Sequence, residues 1–211
     1  MTSVVVLAGG LDVPHMVVPS GAIVIAADGG ADVAVGLGLT VDLVVGDLDS
    51  ISAEALAGVA SVERHPVEKD ATDLELALRA ALRFEPERIL VVGGAGGRLD
   101  HLLGGLLLLA ADWLAGVRVD AQIGGAVVHV IRGERTLAGE PGELISLFTV
   151  GGPADGVVAD GLVYPLRGES LGPGSTRGLS NVFAQREARI AVERGVLLAV
   201  RPISGSAAAG S

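Results

Sequence analysis

Short Val- and Ile-rich runs recur through the first half of the chain, at residues 4–8, 22–27, 42–45, 61–64 and 88–92. Between them the spacing of apolar positions turns helical. The clearest case is 73–84, where Leu74, Ala77, Leu78, Ala81 and Leu82 make one stripe, and Glu75 precedes Arg79 by four residues in the favoured order. A second helix is predicted over about 100–114. Its leucine-rich run from 102 to 111 is about half the ~20 residues a membrane span requires, and Asp112 ends it, so a buried helix is expected. Strands without polar alternation, separated by helices, predict a doubly wound, mostly parallel sheet with helices on both faces.

The second half has a different rhythm. Residues 127–131, 144–150, 156–159, 188–192 and 196–200 are strand-like, separated by Gly/Pro-rich turns with no helical period between them. That pattern predicts an antiparallel β-sandwich or barrel. The change falls near 116–120. The expected organisation is an α/β domain over 1–118, a β domain over 119–204 and a low-complexity, disordered tail at 205–211. No internal repeat is visible.

Composition narrows the field. The chain has 211 residues, half of them apolar but only 2% aromatic, so Val, Leu, Ile and Ala must fill the core. A net charge of -10 and a pI near 4.8 count against nucleic acid or an anionic membrane as the main partner. Cysteine is absent, which fits a reducing cytoplasm. The first ten residues carry no basic segment and read as a strand and turn rather than a secretory signal.

Candidate chemistry centres on five aspartates. In Gly46-Asp47-Leu48-Asp49-Ser50, a strand-like run delivers two carboxylates one residue apart, so Asp47 and Asp49 are expected to point the same way. Like charges held that close call for compensation, and a divalent cation with oxygen ligands, most often Mg2+ carrying phosphates, is the usual one. Asp28 follows another strand and precedes Gly29-Gly30. Asp73 and Asp100 lie near helix starts. Open parallel sheets bind ligands outside the carboxyl ends of their strands, so all five are expected in one crevice. Taken singly, each has a plainer role: Asp28 in a turn, Asp70 with Asp73 as a helix cap, Asp100 as an N-cap.

Gly93-Gly94-Ala95-Gly96-Gly97-Arg98-Leu99-Asp100-His101 follows a strand and opens a helix. Such a loop can cradle phosphate with its amides, although it matches neither the Walker nor the dinucleotide pattern. Arg98 can pair with phosphate through two hydrogen bonds, and Lys69 offers a second cation. An ion pair with a neighbouring aspartate is the alternative for both. His15, His65, His101 and His129 show no metal-ligand spacing. Tyr164 is the only tyrosine, and Ser180-Asn181 sits in a polar turn.

In combination these segments resemble the thiamine pyrophosphokinase family. The matching pieces are Ala27-Asp28-Gly29-Gly30-Ala31, Gly46-Asp47-Leu48-Asp49-Ser50, Lys69-Asp70-Ala71-Thr72-Asp73-Leu74-Glu75, Gly96-Gly97-Arg98-Leu99-Asp100-His101 and Gly178-Leu179-Ser180-Asn181. They occur in the family's order, and the resemblance runs from the first strand to about Ile203. It implies an α/β domain followed by a β-sandwich, a cytoplasmic homodimer with its site at the subunit interface, and Mg2+-dependent transfer of diphosphate from ATP to thiamine. Neither nucleic acid nor membrane is implied as a partner.

By the same resemblance Asp47, Asp49 and Asp73 would hold the metal. Asp28, Asp73, Arg98 and Asp100 would be catalytic, with Asp100 or Asp73 as the proton acceptor. Gly29, Ser50, Lys69, Thr72, Arg98 and His101 would meet the ATP phosphates. Tyr164 would lie against the thiamine pyrimidine, with Ser180 and Asn181 on its polar edge. The chain departs from common family usage at Leu48, Asp32 and Tyr164, where relatives often carry Phe, Asn and Trp. Two rivals share parts of the pattern. A haloacid dehalogenase-type phosphohydrolase would use Asp47 as nucleophile, although here the aspartate pair follows the third strand rather than the first. A non-catalytic thiamine or nucleotide sensor would use the same scaffold.

Overall fold

The apolar runs of the first half become parallel strands. β1 (Ser3–Leu7), β2 (Ile23–Ala27), β3 (Leu43–Gly46), β4 (Val62–Arg64), β5 (Arg88–Gly93) and β6 (Arg118–Ile123) pair in the order β4-β3-β2-β1-β5-β6. The computed structural model describes residues 2–10, 13 and 18–203; His15 and the tail at 205–211 lie outside the described residues. The chain forms two compact units. One runs to Leu108 and includes Gly116–Gly125; the other comprises Leu109–Ala115 and the described chain from Ala126 onward.

In the first unit the strand order reverses between β1 and β5, which places a topological switch point at their carboxyl ends. Helices α1 (Gly30–Gly36), α2 (Ala53–Ala57), α3 (Asp73–Leu82) and α4 (Leu99–Leu108) complete the unit. The apolar stripe predicted on α3 is buried at Ala77, Leu78 and Ala81. Its cap is Thr72 rather than the expected Asp70. Thr72 Oγ1 accepts from the Glu75 amide at 3.3 Å, and Glu75 accepts from Arg79 at 2.8 Å.

Two expectations about the leucine-rich segment are overturned. The helix ends at Leu108 rather than near 114, and Asp112–Leu114 is a separate 3-10 turn. Arg132 supplies the physical reason, because its guanidinium donates to the carbonyls of Ala110 at 2.6 Å and Ala111 at 2.9 Å. Those oxygens are satisfied without a continuing helix. Nor is α4 buried: none of its residues is, and Leu99, Leu103 and Leu107 form a ridge 76, 55 and 50% exposed. No helix of the described residues is long and apolar enough to cross a membrane.

Strand β6 was not separable by pattern. Arg118, Asp120 and Gln122 alternate with Val119, Ala121 and Ile123, unlike the apolar runs of β1, β2, β3 and β5, and the expected change near 116–120 falls across it. Asp120 is buried and answered by Arg88 at 3.2 Å and Arg118 at 3.4 Å.

The second unit is antiparallel. It contains β7 (Ala126–Ile131), β8 (Glu134–Ala138), β9 (Leu144–Asp160), β10 (Leu166–Leu171), β11 (Asn181–Val182), β12 (Glu187–Ala191) and β13 (Arg194–Pro202). The strands expected at 144–150 and 156–159 are one strand of 17 residues, β9. Gly151-Gly152-Pro153 resembles a turn in sequence, yet Gly151 (φ 77°) bends the strand without ending it. The register with β13 shifts between Arg194 and Val196. β9 pairs with β10, β11, β12 and β13. Phe183, Ile145, Leu147, Leu166 and Ile190 fill the core beneath these ladders.

Candidate active site

Three segments leave the carboxyl edge of the first unit and carry its acids. Asp28 follows β2, and its amide donates to the Val45 carbonyl at 3.0 Å, tying it beside β3. Its φ of 43° is left-handed, and Asp is one of the few residues that accept this. Asp47 follows Gly46 at the end of β3. Asp73 opens α3. Gly46 permits the approach: a Cβ there would lie 2.9 Å from Asp28 Cβ and 3.1 Å from Asp73 Oδ1.

Asp28, Asp47 and Asp73 each present a carboxylate oxygen within 4.8 Å of the others. Asp28 is 7% exposed. Its Oδ2 accepts from Ser50 Oγ, whereas Oδ1 is buried with no hydrogen-bond partner. Lys69 Nζ lies among the carboxylates, 2.8 Å from Asp47 Oδ2 and 2.9 Å from Asp73 Oδ1. Its hydrogen bond holds the Asp47 carboxyl below the usual carboxylate range. Asp49 is pushed the other way, chiefly by the charge of Asp47 and further by Asp28 and Asp73. Asp49 stands within the field of the cluster while Asp28 takes the third place in it. Leu48 turns the chain between the pair with φ 66°, so Asp47 and Asp49 do not alternate as strand residues would. The set is all hard oxygen and carries excess negative charge. It holds two buried oxygens without a hydrogen bond, Asp28 Oδ1 and Asp73 Oδ1, of which only the second has an ion pair. That arrangement fits a divalent cation.

Arg98 and Asp100 pair with each other instead. Arg98 Nη2 donates to Asp100 Oδ2 at 2.6 Å and Nε to Oδ1 at 3.1 Å, both side chains being largely exposed. The guanidinium holds the Asp100 carboxyl down to about 2. Asp100 lies in the first turn of α4 with His101 exposed beside it. At the switch point, Gly10 (φ 128°) and Gly94 pack backbone to backbone, since a Cβ on Gly10 would lie 3.0 Å from Gly94 Cα. Sequence reasoning passed over Gly9-Gly10; their place directly after the first strand was the available signal.

The second unit has its own polar rim. The Tyr164 side chain is 57% exposed, and Asn181 is 1% exposed. The Asn181 amide is committed to main chain, accepting from the Tyr164 amide at 3.0 Å and donating to the Tyr164 carbonyl at 2.7 Å. Ser180 is exposed, has φ 52°, and donates its amide to Ser146 Oγ at 3.1 Å.

Comparison with known proteins decides the family. Residues 15–119 match the thiamin pyrophosphokinase catalytic domain, and residues 128–197 match the thiamin pyrophosphokinase vitamin B1 binding domain. The chain belongs to the thiamin pyrophosphokinase family. Thiamine pyrophosphokinase from Bacillus subtilis is 28% identical over 164 residues, 74% of this chain and 76% of the relative. The crystal structure of a Bacillus subtilis thiamine pyrophosphokinase superposes with a TM-score of 0.85 at 25% identity, covering 96% of this chain and all of that one. A family member from Enterococcus faecalis gives 0.81 at 24% identity, covering 96% and 99%, and shares the fold. The chain is thus a thiamine diphosphokinase, an enzyme that forms thiamine diphosphate.

Within this pyrophosphokinase fold the remaining positions are accounted for. Ser50 is engaged with Asp28, and Thr72 caps α3. Gly29 borders the cluster, where a Cβ would lie 3.2 Å from Ser50 Oγ. Asp32 accepts from the Ser52 amide at 3.0 Å beside the start of α2, and hydrogen bonding by the Ser52 side chain, then by that amide, lowers its pKa. Leu48, partly buried, packs on the core of the first unit.

Proposed function

We propose that the enzyme transfers the diphosphate of ATP to the hydroxyl of thiamine and releases AMP, with Mg2+ held by Asp28, Asp47 and Asp73. The observation that carries this is the gathering of one carboxylate oxygen each from Asp28, Asp47 and Asp73 within 4.8 Å, with a buried Asp28 oxygen left unsatisfied. A bound Mg2+ would neutralise phosphate charge that the acids otherwise repel. The chain's own residues do the rest. Lys69, now paired with Asp47 and Asp73, is a cation within reach of incoming phosphate oxygens. The Gly93–Gly97 loop and the start of α4 offer amides, and Arg98 offers a guanidinium to the migrating group.

The thiamine hydroxyl oxygen forms a bond to the β-phosphorus as the bond from that phosphorus to the α–β bridging oxygen breaks. Both electrons of the broken bond leave with AMP. The hydroxyl proton passes to a carboxylate. Asp73 and Asp100 are the two candidates for that role, each now held by a cation, Lys69 and Arg98 respectively. Tyr164 would offer its face to the cationic substrate and Ser180 its hydroxyl.

A cytoplasmic homodimer, with the thiamine residues supplied across the interface, completes the proposal. The exposed Leu99, Leu103 and Leu107 ridge gives it support. The haloacid dehalogenase alternative has none, since Asp47 follows the third strand rather than the first and is ion-paired to Lys69.

The deciding assay supplies ATP, Mg2+ and thiamine and follows products by mass. Thiamine diphosphate and AMP should appear in equal amounts, and AMP only when thiamine is present. A phosphorylated Asp47, or tight thiamine binding without turnover, would refute the transfer.

A further inference from the structure

We infer that Asn181 is a positioning residue for thiamine recognition, acting through the main chain of Tyr164 and not by contact with substrate. The inference rests on the reading of Tyr164 as the aromatic that faces thiamine. Asn181 is the only asparagine in the chain and Tyr164 the only tyrosine. Their side chains differ sharply in exposure, 1% against 57% for the residues. An amide oxygen has two lone pairs. Here one accepts from the Tyr164 amide at 3.0 Å and the other from the Val182 amide at 2.9 Å. Nδ2 donates to the Tyr164 carbonyl at 2.7 Å. No acceptor capacity is left for a ligand, and both polar groups of the Tyr164 backbone are gripped by one side chain, as a neighbouring strand would grip them.

The surroundings hold Asn181 where it can do this. Leu147 donates its amide to the Gly178 carbonyl at 2.9 Å. A Cβ on Gly178 would lie 2.5 Å from the Leu147 carbonyl oxygen, so only glycine lets this loop lie so close to β9. The next turn is fixed by Ser180 onto Ser146. On the other side, Val163 donates to the Val182 carbonyl at 2.9 Å, and Leu162 bridges Phe183. Pro165 restricts Tyr164 itself to extended conformations. The exposed ring thus projects from a backbone with no freedom left, and binding need not order it.

The two unique residues make the test clean. Asparagine labelled with 15N gives one side-chain amide signal, and ring-labelled tyrosine gives one ring signal. In the wild-type protein, thiamine should shift the tyrosine signal and leave the asparagine amide in place. A large direct shift of the asparagine amide would overturn the inference. Asn181→Ala should raise the thiamine KM about two- to tenfold, with kcat and the ATP KM little changed. The same change made in a Tyr164→Ala background should add nothing further. Additive losses would mean a contact of its own with substrate. An unchanged thiamine KM in a variant that melts at lower temperature would mean a purely structural role. Either result sinks the proposal. If Tyr164→Ala itself leaves the thiamine KM unchanged, the reading of Tyr164 fails instead, and the two failures are told apart. Should Asn181→Ala not fold, the labelled wild-type protein still decides.

Discussion

The carboxylate rim of the first unit and the Tyr164 rim of the second are built on opposite principles. The first concentrates charge it cannot satisfy. Of three gathered carboxylates only two share the one ammonium, Asp49 is pushed up by its neighbours, Asp28 keeps a bare buried oxygen, and two non-glycine residues sit at left-handed φ. The second rim is settled, with each of the polar main-chain groups of Tyr164 answered by Asn181. Unmet charge favours a highly charged ligand that completes it, whereas a satisfied frame favours a ligand that needs a fixed shape.

The contrast can be broken first at the charged rim. Asp47→Asn removes a cluster oxygen and the partner of Lys69; turnover should fall about 10²- to 10³-fold while the circular dichroism spectrum is kept. Activity within a few fold of wild type would remove the metal assignment. At the settled rim the cost should appear as stability. Gly178→Ala forces a Cβ to 2.5 Å from the Leu147 oxygen and should lower unfolding free energy by about 1–3 kcal/mol in urea titration. Tyr164→Ala deletes the platform itself. The thiamine KM should rise about 2- to 30-fold and the ATP KM should hold, as steady-state kinetics would show.

The smallest effect sharpens the comparison. The Asp49 carboxyl has a raised pKa in the fold, so it favours folding while protonated, and that benefit is lost as pH rises through its folded pKa. Asp49→Asn should therefore raise the melting temperature of the ligand-free protein slightly at neutral pH. The gain should vanish in acid, where wild-type Asp49 is itself protonated. A lower melting temperature at neutral pH would show that Asp49 is stabilised, not strained, by its surroundings.

Much of the first unit was legible because its strands are buried on both faces and read as unbroken apolar runs. β6 escaped because Arg118 and Asp120 interrupt it, and only the fold brings Arg88 to neutralise the buried acid. The cap of α3 was expected at Asp70 and lies at Thr72, also a good capping type, because the helix begins two residues later than that reading requires. A gathering of aspartates at this edge was expected, but that Asp28 and not Asp49 joins Asp47 and Asp73 depends on Gly46 having no side chain. That is a spatial fact with no sequence period. The bond from Asn181 to Tyr164 spans 17 residues and joins side chain to backbone, so no pattern of side chains announces it. The burial expected for α4 failed because apolar composition alone does not say what covers a helix.

Strand β9 has one more implication. Four ladders borrow it, to β10, β11, β12 and β13, and the two formed without it, β7 with β13 and β8 with β12, each contain a strand that also pairs with it. Misalignment by a single position anywhere along its length would turn inward-facing residues outward in several pairings together. Refolding of this half should therefore be a concerted event that waits on distant segments, slow in starting and abrupt once under way.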